Sequence, residues 1–192
     1  MLNGQQIPAK LRRQIERELE PGEFIQWVEQ PLPRFFTGQS ATYFLMGIPF
    51  TAFAIFWMCG AAGFKVPDLR ERIKFEHLFA LWGVPFILVG LWMLSSPLRE
   101  WLKAFRTVYL ITDKRAISIE SGWFTTIRNY TPAQLKDIYR KERQDGTGDV
   151  VITTRLRRGN EGNSWIEEIG FMNIRNPREA ERLLQQLAQT KV

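Results

Sequence analysis

The chain of 192 residues has one cysteine and one histidine. A single thiol excludes an internal disulfide framework and any cysteine-rich zinc module. One histidine argues equally against a histidine-based metal site. There is no P-loop, no dinucleotide fingerprint and no Gly-x-Ser-x-Gly elbow. The largest absence is of charge: no Lys, Arg, Asp or Glu occurs over the 30 positions from Phe35 to Phe64, nor over the 22 from His77 to Leu98.

What fills these stretches is apolar. Hydrophobic residues occupy 18 of 24 positions in 41–64 and 14 of 19 in 78–96. A helix of ~20 residues crosses the ~30 Å hydrocarbon core of a bilayer. The reading is two membrane spans, about 41–63 and 78–97, within a hairpin domain 35–98. The linker Lys65–Glu76 is short enough to make the spans antiparallel. The mean hydropathy of −0.21 hides this hairpin because polar flanks dilute it. Basic residues outnumber those of the linker on the flanking side (Arg17, Arg34, Arg99, Lys103, Arg106, Lys114, Arg115), which predicts both termini in the cytoplasm and a multi-pass inner-membrane location. Trp82 and Trp92 fit either an aromatic belt or packing between helices. Each span repeats one pattern, Gly47-Ile48-Pro49-Phe50 and Gly83-Val84-Pro85-Phe86. It fits two kinked, closely packed helices or a broken-helix pair of the transport type; neither span holds an ionisable residue to mark an ion path.

The segment 1–34 opens with an amphipathic helix over 8–20. Leu11, Ile15 and Leu19 share one face, Pro8 suits the first turn, and Pro21-Gly22 stops it. Near-zero local charge favours docking on the cytoplasmic domain over adhesion to a membrane. Glu23–Gln30 reads as a short extended piece. From Arg99 the hydrophobic period changes to two: Val108/Leu110 and Ile117/Ile119 flank a turn at Thr112–Arg115. Further strands are expected at Phe124–Tyr130, Ile138–Arg143, Val150–Leu156 and Trp165–Ile174, with hairpin signals at Ser121-Gly122, Asp145–Gly148 and Arg158–Asn163. A closing helix starts at Asn176-Pro177 with Glu179 completing a capping box, and Ala180, Leu183, Leu184 and Leu187 form its apolar stripe. The fold class is thus α+β: a two-helix hairpin followed, over 99–192, by two short antiparallel sheets packed across each other and plugged by a helix.

The run Arg106-Thr107-Val108-Tyr109-Leu110-Ile111-Thr112-Asp113-Lys114-Arg115-Ala116-Ile117 resembles the R-T-x-Y-x-I-T-D-x-R-A-I signature of bacterial PH-like (pleckstrin-homology-like) membrane proteins. The lead-in Leu19-x-Pro21-Gly22-Glu23, the turn Asp145-Gly146-Thr147-Gly148-Asp149 and Gly170-Phe171-x-x-Ile174 extend the likeness over roughly 19–188. The resemblance implies two membrane helices before a cytoplasmic PH-like domain, in a binding or assembly module; the missing His, Cys and motif chemistry argues against an enzyme. The phosphoinositide site of eukaryotic PH domains is not carried over, because no basic cluster here matches its spacing.

The charged constellation with a candidate role is Arg99, Lys103, Arg106, Lys114 and Arg115. Near anionic headgroups each can contribute ~1 kcal/mol, or they serve only to set topology. Arg155, Arg157 and Arg158 lack the interleaved aromatics of a nucleic-acid surface. Glu167-Glu168 and Asp145/Asp149 fit solvated or turn roles, His77 an interfacial one, and Cys59 that of a small hydrophobe. The expected partners are therefore the bilayer and either a protein partner or a second copy, with no cofactor and no nucleic acid. The alternative is a subunit of an oligomeric transport or pore-forming assembly.

Overall fold

The computed structural model describes residues 7–61, 82–135, 137–158 and 164–189. The chain is α+β and divides into two compact units: Met1–Pro33 with Lys103–Val192, and Arg34–Leu102.

In the first unit, α1 (Ala9–Glu18) precedes β1 (Ile25–Glu29). After the second unit come β2 (Thr107–Thr112), β3 (Ala116–Ser121), β4 (Thr125–Tyr130), β5 (Tyr139–Glu142), β6 (Gly148–Arg158), β7 (Ser164–Ile174) and α5 (Pro177–Gln189). Two antiparallel sheets result, in the orders β1-β2-β3-β4 and β5-β6-β7. The expected strands and closing helix are all present. The extended piece after α1 gains a role that its own pattern did not reveal: β1 pairs with β2, Glu29 facing Tyr109 and Val28 facing Leu110. The stretch before the apolar segment thus completes a sheet begun after it, and the two flanks form one unit.

Strand β2 is buried at every position. Period-two alternation predicts polar partners on one face, but both faces are covered. Tyr109 and Ile111 meet Val150, Ile152, Phe171 and α5 residues Ala180, Leu184 and Leu187 in the core between the sheets. Val108 and Leu110, with Ile117 and Ile119, face Leu11 and Ile15 of α1. Successive strand residues point to opposite sides, so α1 must roof the outer face that these side chains would otherwise expose. Phe171 is fully buried, stacked between Trp27 (5.7 Å) and Tyr109 (4.8 Å). Beside it, a side chain on Gly170 would collide with the Val150 carbonyl, so the bulged β6–β7 ladder requires glycine there. The α5 cap forms as expected: Asn176 Oδ1 accepts the Glu179 N–H at 3.3 Å, and its amide donates to the Glu179 carboxylate at 3.2 Å.

The second unit holds α2 (Gly38–Ala61), α3 (Val84–Leu94) and the first part of α4 (Ser96–Ala104). Thr37 and Ser40 start α2 reciprocally, the Ser40 hydroxyl accepting the Thr37 N–H at 2.8 Å and the Thr37 hydroxyl accepting the Ser40 N–H at 3.3 Å. Among the described residues α2 is the one helix long and apolar enough to cross a membrane, while α3 has 11 residues. The expected second span, 78–97, therefore differs from expectation. Its helix ends at Leu94, the chain turns at Ser95, and α4 continues from Ser96; residues 78–81 of that span and the linker 65–76 lie outside the described residues. The repeated Gly-x-Pro-Phe motifs are also not equivalent. Pro49 sits inside α2, whereas Pro85 occupies the first turn of α3, where its missing N–H costs no helix bond.

Helices α2 and α3 pack antiparallel. Tyr43 meets Trp92 edge-on at 6.2 Å, Phe50 meets Phe86 at 6.4 Å, and the Ser96 hydroxyl donates to the Ser40 carbonyl at 3.0 Å. Two glycines set the approach. A Cβ on Gly47 would lie 3.0 Å from Met93 Cβ, and one on Gly90 would overlap the Thr51 hydroxyl. Small residues permit this close contact between helices.

Candidate functional site

Two of the motifs that carry the family resemblance, the 106–117 signature and the Leu19–Glu23 lead-in, meet in space. Pro21 and Gly22 form a type II turn, Gly22 taking φ +80 and the Glu23 N–H reaching the Glu20 carbonyl at 3.0 Å. This turn swings Glu23 inward, where its side chain is fully buried. Its carboxylate accepts the Glu20 N–H (2.8 Å), the Thr112 hydroxyl (2.7 Å) and two guanidinium N–H groups of Arg115 (3.0 Å each). Arg115 also donates to the Glu18 carbonyl at 2.8 Å. Asp113 completes the clasp by exchanging hydrogen bonds with Phe24: its Oδ1 accepts the Phe24 N–H at 2.8 Å, and its own N–H donates to the Phe24 carbonyl at 3.1 Å.

Burial alone would raise the Glu23 carboxyl, but the hydrogen bonds from Arg115, the Glu20 backbone and Thr112, with the Arg115 charge, hold it at about 2 against an ordinary 4.5. A bidentate, charge-assisted pair of this kind fixes geometry as well as charge. The signature is therefore an internal fastening of the segment before α2 to the β2–β3 turn.

No family model matches the chain, and neither curated proteins nor solved structures yield a match.

The five candidate basic residues do not form one cluster. Arg115 belongs to the clasp, and Lys114 reaches Glu20 at 3.3 Å on its exposed rim. Lys103 pairs with Glu120 of β3 at 3.5 Å. Arg99, in the second unit, lies 4.2 Å over the Trp92 ring, a cation–π contact beside a shallow cleft lined by Gln39, Tyr43 and Ser96. Arg106 is exposed and forms no ion pair among the described residues; its carbonyl accepts the Ser121 N–H at 2.7 Å.

The paired carboxylates serve cross-strand contacts. Glu167 binds Arg157 at 2.7 Å, and Glu168 binds Lys141 at 2.5 Å and accepts the Tyr139 hydroxyl at 3.1 Å. Asp145 caps its own turn by accepting the Thr147 N–H at 3.0 Å. Asp149 accepts the Asn173 N–H at 2.7 Å and pairs with Arg143 at 3.1 Å, holding Asn173 in the left-handed region at φ 55. The Asn173 carbonyl in turn accepts the Leu32 N–H at 2.7 Å, a second tie to the segment before α2. A third is Glu29, buried at the end of β1, whose carboxylate accepts the Arg175 N–H at 2.6 Å; burial pushes it above its ordinary value, opposed by Arg175. Among the described residues no three of His, Cys, Asp and Glu converge on a point that could hold a metal.

Two residues stand out that the sequence reading passed over. Trp123 and Phe124, at the tip of the β3–β4 hairpin, are 98% and 87% exposed. A signal was present: this turn, Ser121-Gly122-Trp123-Phe124, carries large aromatics where turns ordinarily carry polar residues.

Proposed function

We propose that the chain is an integral membrane protein in which a two-crossing hairpin holds a PH-like module at the bilayer, and that it works by binding and not by catalysis. The observation that carries this reading is the β1–β2 pairing. Residues Glu29 and Tyr109 face each other in one ladder, so both ends of the intervening chain lie on one side of any membrane that α2 crosses. The number of crossings is then even. Helix α2, at 24 residues and ~36 Å, is long enough for one. Eleven residues of α3 are too few for the return, which would draw on residues before Val84, as the expected span 78–97 does.

The surface of α2 supports the same reading. Leu45, Met46, Phe53 and Phe56 are each at least 60% exposed, and a water-soluble unit would leave such a face uncovered at high cost. The bound partner is a protein or the membrane headgroups, met from the cytoplasmic face. The PH-like assignment rests on two packed antiparallel sheets closed by a C-terminal helix, together with the signature residues.

Single cysteines at Asp68 and Gln185, in a Cys59→Ser background, test the topology. Gln185 should react only from the cytoplasmic side and Asp68 only from the other. Reaction of both from one side would overturn the two-crossing reading. Liposomes containing the purified chain should remain tight to ions; a flux proportional to protein would replace the binding module with a pore-forming assembly.

A further inference from the structure

The β3–β4 hairpin is built as a rigid stem with an apolar tip. Gln14 of α1 donates to the Ser121 hydroxyl at 3.4 Å and to the Thr125 hydroxyl at 3.0 Å, clamping both strands at the base of the turn. The Ser121 N–H is held by the Arg106 carbonyl, and the Gly122 N–H closes onto the Phe124 carbonyl at 3.1 Å. Beyond this base Trp123 and Phe124 project with almost no protein cover. Two large aromatics on a braced turn bury nothing for the fold, so their energetic use lies outside the described residues of this chain.

The position of the tip selects the partner. In the ladder Thr107 faces Glu120 and Glu29 faces Tyr109. The end of β1 and the start of β2 therefore share the end of the sheet from which the hairpin projects. At this end Gln30, just past β1, donates to the Thr107 carbonyl at 3.4 Å, and Lys103, where the chain re-enters the first unit, pairs with Glu120 at 3.5 Å. A shallow cleft beside Trp123 is lined by Leu11, Phe105, Lys10 and Arg106. Neither Lys10 nor Arg106 has an ion pair among the described residues, and the nearby acid Glu120 is taken by Lys103.

We propose that Trp123 and Phe124 insert into the headgroup–acyl boundary of the bilayer, with Lys10 and Arg106 meeting anionic headgroups. The proposal deepens the membrane reading above and rests on it. Tryptophan suits such a boundary because its ring is apolar and its N–H still finds a hydrogen bond. A basic rim around an apolar tip complements a surface that is anionic outside and greasy within. The hairpin is then a second attachment point that fixes the orientation of the β module against the membrane.

Depth-dependent quenching tests this with the full chain reconstituted in vesicles of neutral lipid with one-third anionic lipid. An environment-sensitive dye is placed on Trp123→Cys or, separately, on Phe53→Cys, each with Cys59→Ser; both sites are exposed, so folding is unaffected. The dye at 123 should lose at least half its emission to lipids spin-labelled near the headgroup. The dye at 53 should be quenched by lipids labelled deep in the acyl chain. Quenching at 53 without quenching at 123 overturns the hairpin proposal and leaves the membrane reading standing. No quenching at 53 overturns both. A dye at 123 that is shielded from iodide but not quenched by lipid, with crosslinking between copies, makes the tip a self-association surface and overturns the lipid assignment. Lys10→Glu with Arg106→Glu should reduce quenching at 123 at least twofold in anionic vesicles only; an unchanged value overturns the role of the charges.

Discussion

Ile117 and Phe53 are both large apolar residues, yet one is wholly buried and the other 64% exposed. The contrast holds for their units. In the β module, apolar side chains are covered by protein on both faces of the central strand, and the buried polar groups of the clasp are matched to partners. In the helical unit, two helices touch along one seam and, among the described residues, leave much of their remaining apolar surface uncovered. Similar apolar side chains thus undergo two kinds of burial: one completed by the chain itself and, on our proposal, one completed by lipid.

The sharpest way to break this comparison is a pair of truncations. Phe171→Ala removes a ring stacked between two aromatics and should cost about 3–5 kcal/mol in denaturant unfolding of the β module. Phe53→Ala should change stability by less than about 0.5 kcal/mol in the same detergent solution. Similar losses at the two sites would mean that α2 is sheathed by protein.

The next effect belongs to the clasp. Glu23→Gln leaves Arg115 half-buried with only the exposed Glu20 carboxylate, 3.8 Å away, as counter-charge, and should cost about 2–4 kcal/mol. Because the Glu23 carboxyl is held at about 2 against an ordinary 4.5, its ionised form stabilises the fold. That contribution is complete at neutral pH and is lost as pH falls from about 4.5 through about 2. Acid titration followed by circular dichroism should show this loss in the natural chain and a flatter profile in the variant.

In the helical unit the corresponding weak point is steric. Gly90→Val would press on Thr51 and should cost about 1–3 kcal/mol, read as loss of α2–α3 proximity in crosslinking between cysteines at Tyr43 and Trp92. The smallest effect is Asn176→Ala at the start of α5, about 1 kcal/mol by thermal unfolding, from one lost cap.

The strands and α5 were legible because their patterns are local: alternation, turn residues and a capping box each act within a few positions. The same holds for the amphipathic face of α1, whose Leu11 and Ile15 are buried as their spacing implies. Harder to read were the non-local partners. Nothing in Ile25–Glu29 announces pairing with a strand some 80 residues later. Lys114 and Arg115 looked like neighbours of Arg99 and Lys103 in a basic cluster, but charge counts along a chain do not reveal that Glu20 and Glu23 would claim them. Trp123 and Phe124 were absorbed into turn and strand because exposure is a property of the fold and not of the residue.

The amino-acid sequence by itself determined the α+β class, the uncharged apolar segment, most element boundaries and the residues that carry the PH-like resemblance. These depend on short-range periodicity and on the apolar length needed to span ~30 Å. Tertiary structure alone decided that the segments on either side of the helical unit share one sheet, that the signature residues fasten them together, and that an aromatic tip is left at the end of that sheet. Each depends on which distant groups become neighbours, because a buried charge must find its counter-charge and a two-faced strand must find cover on both sides.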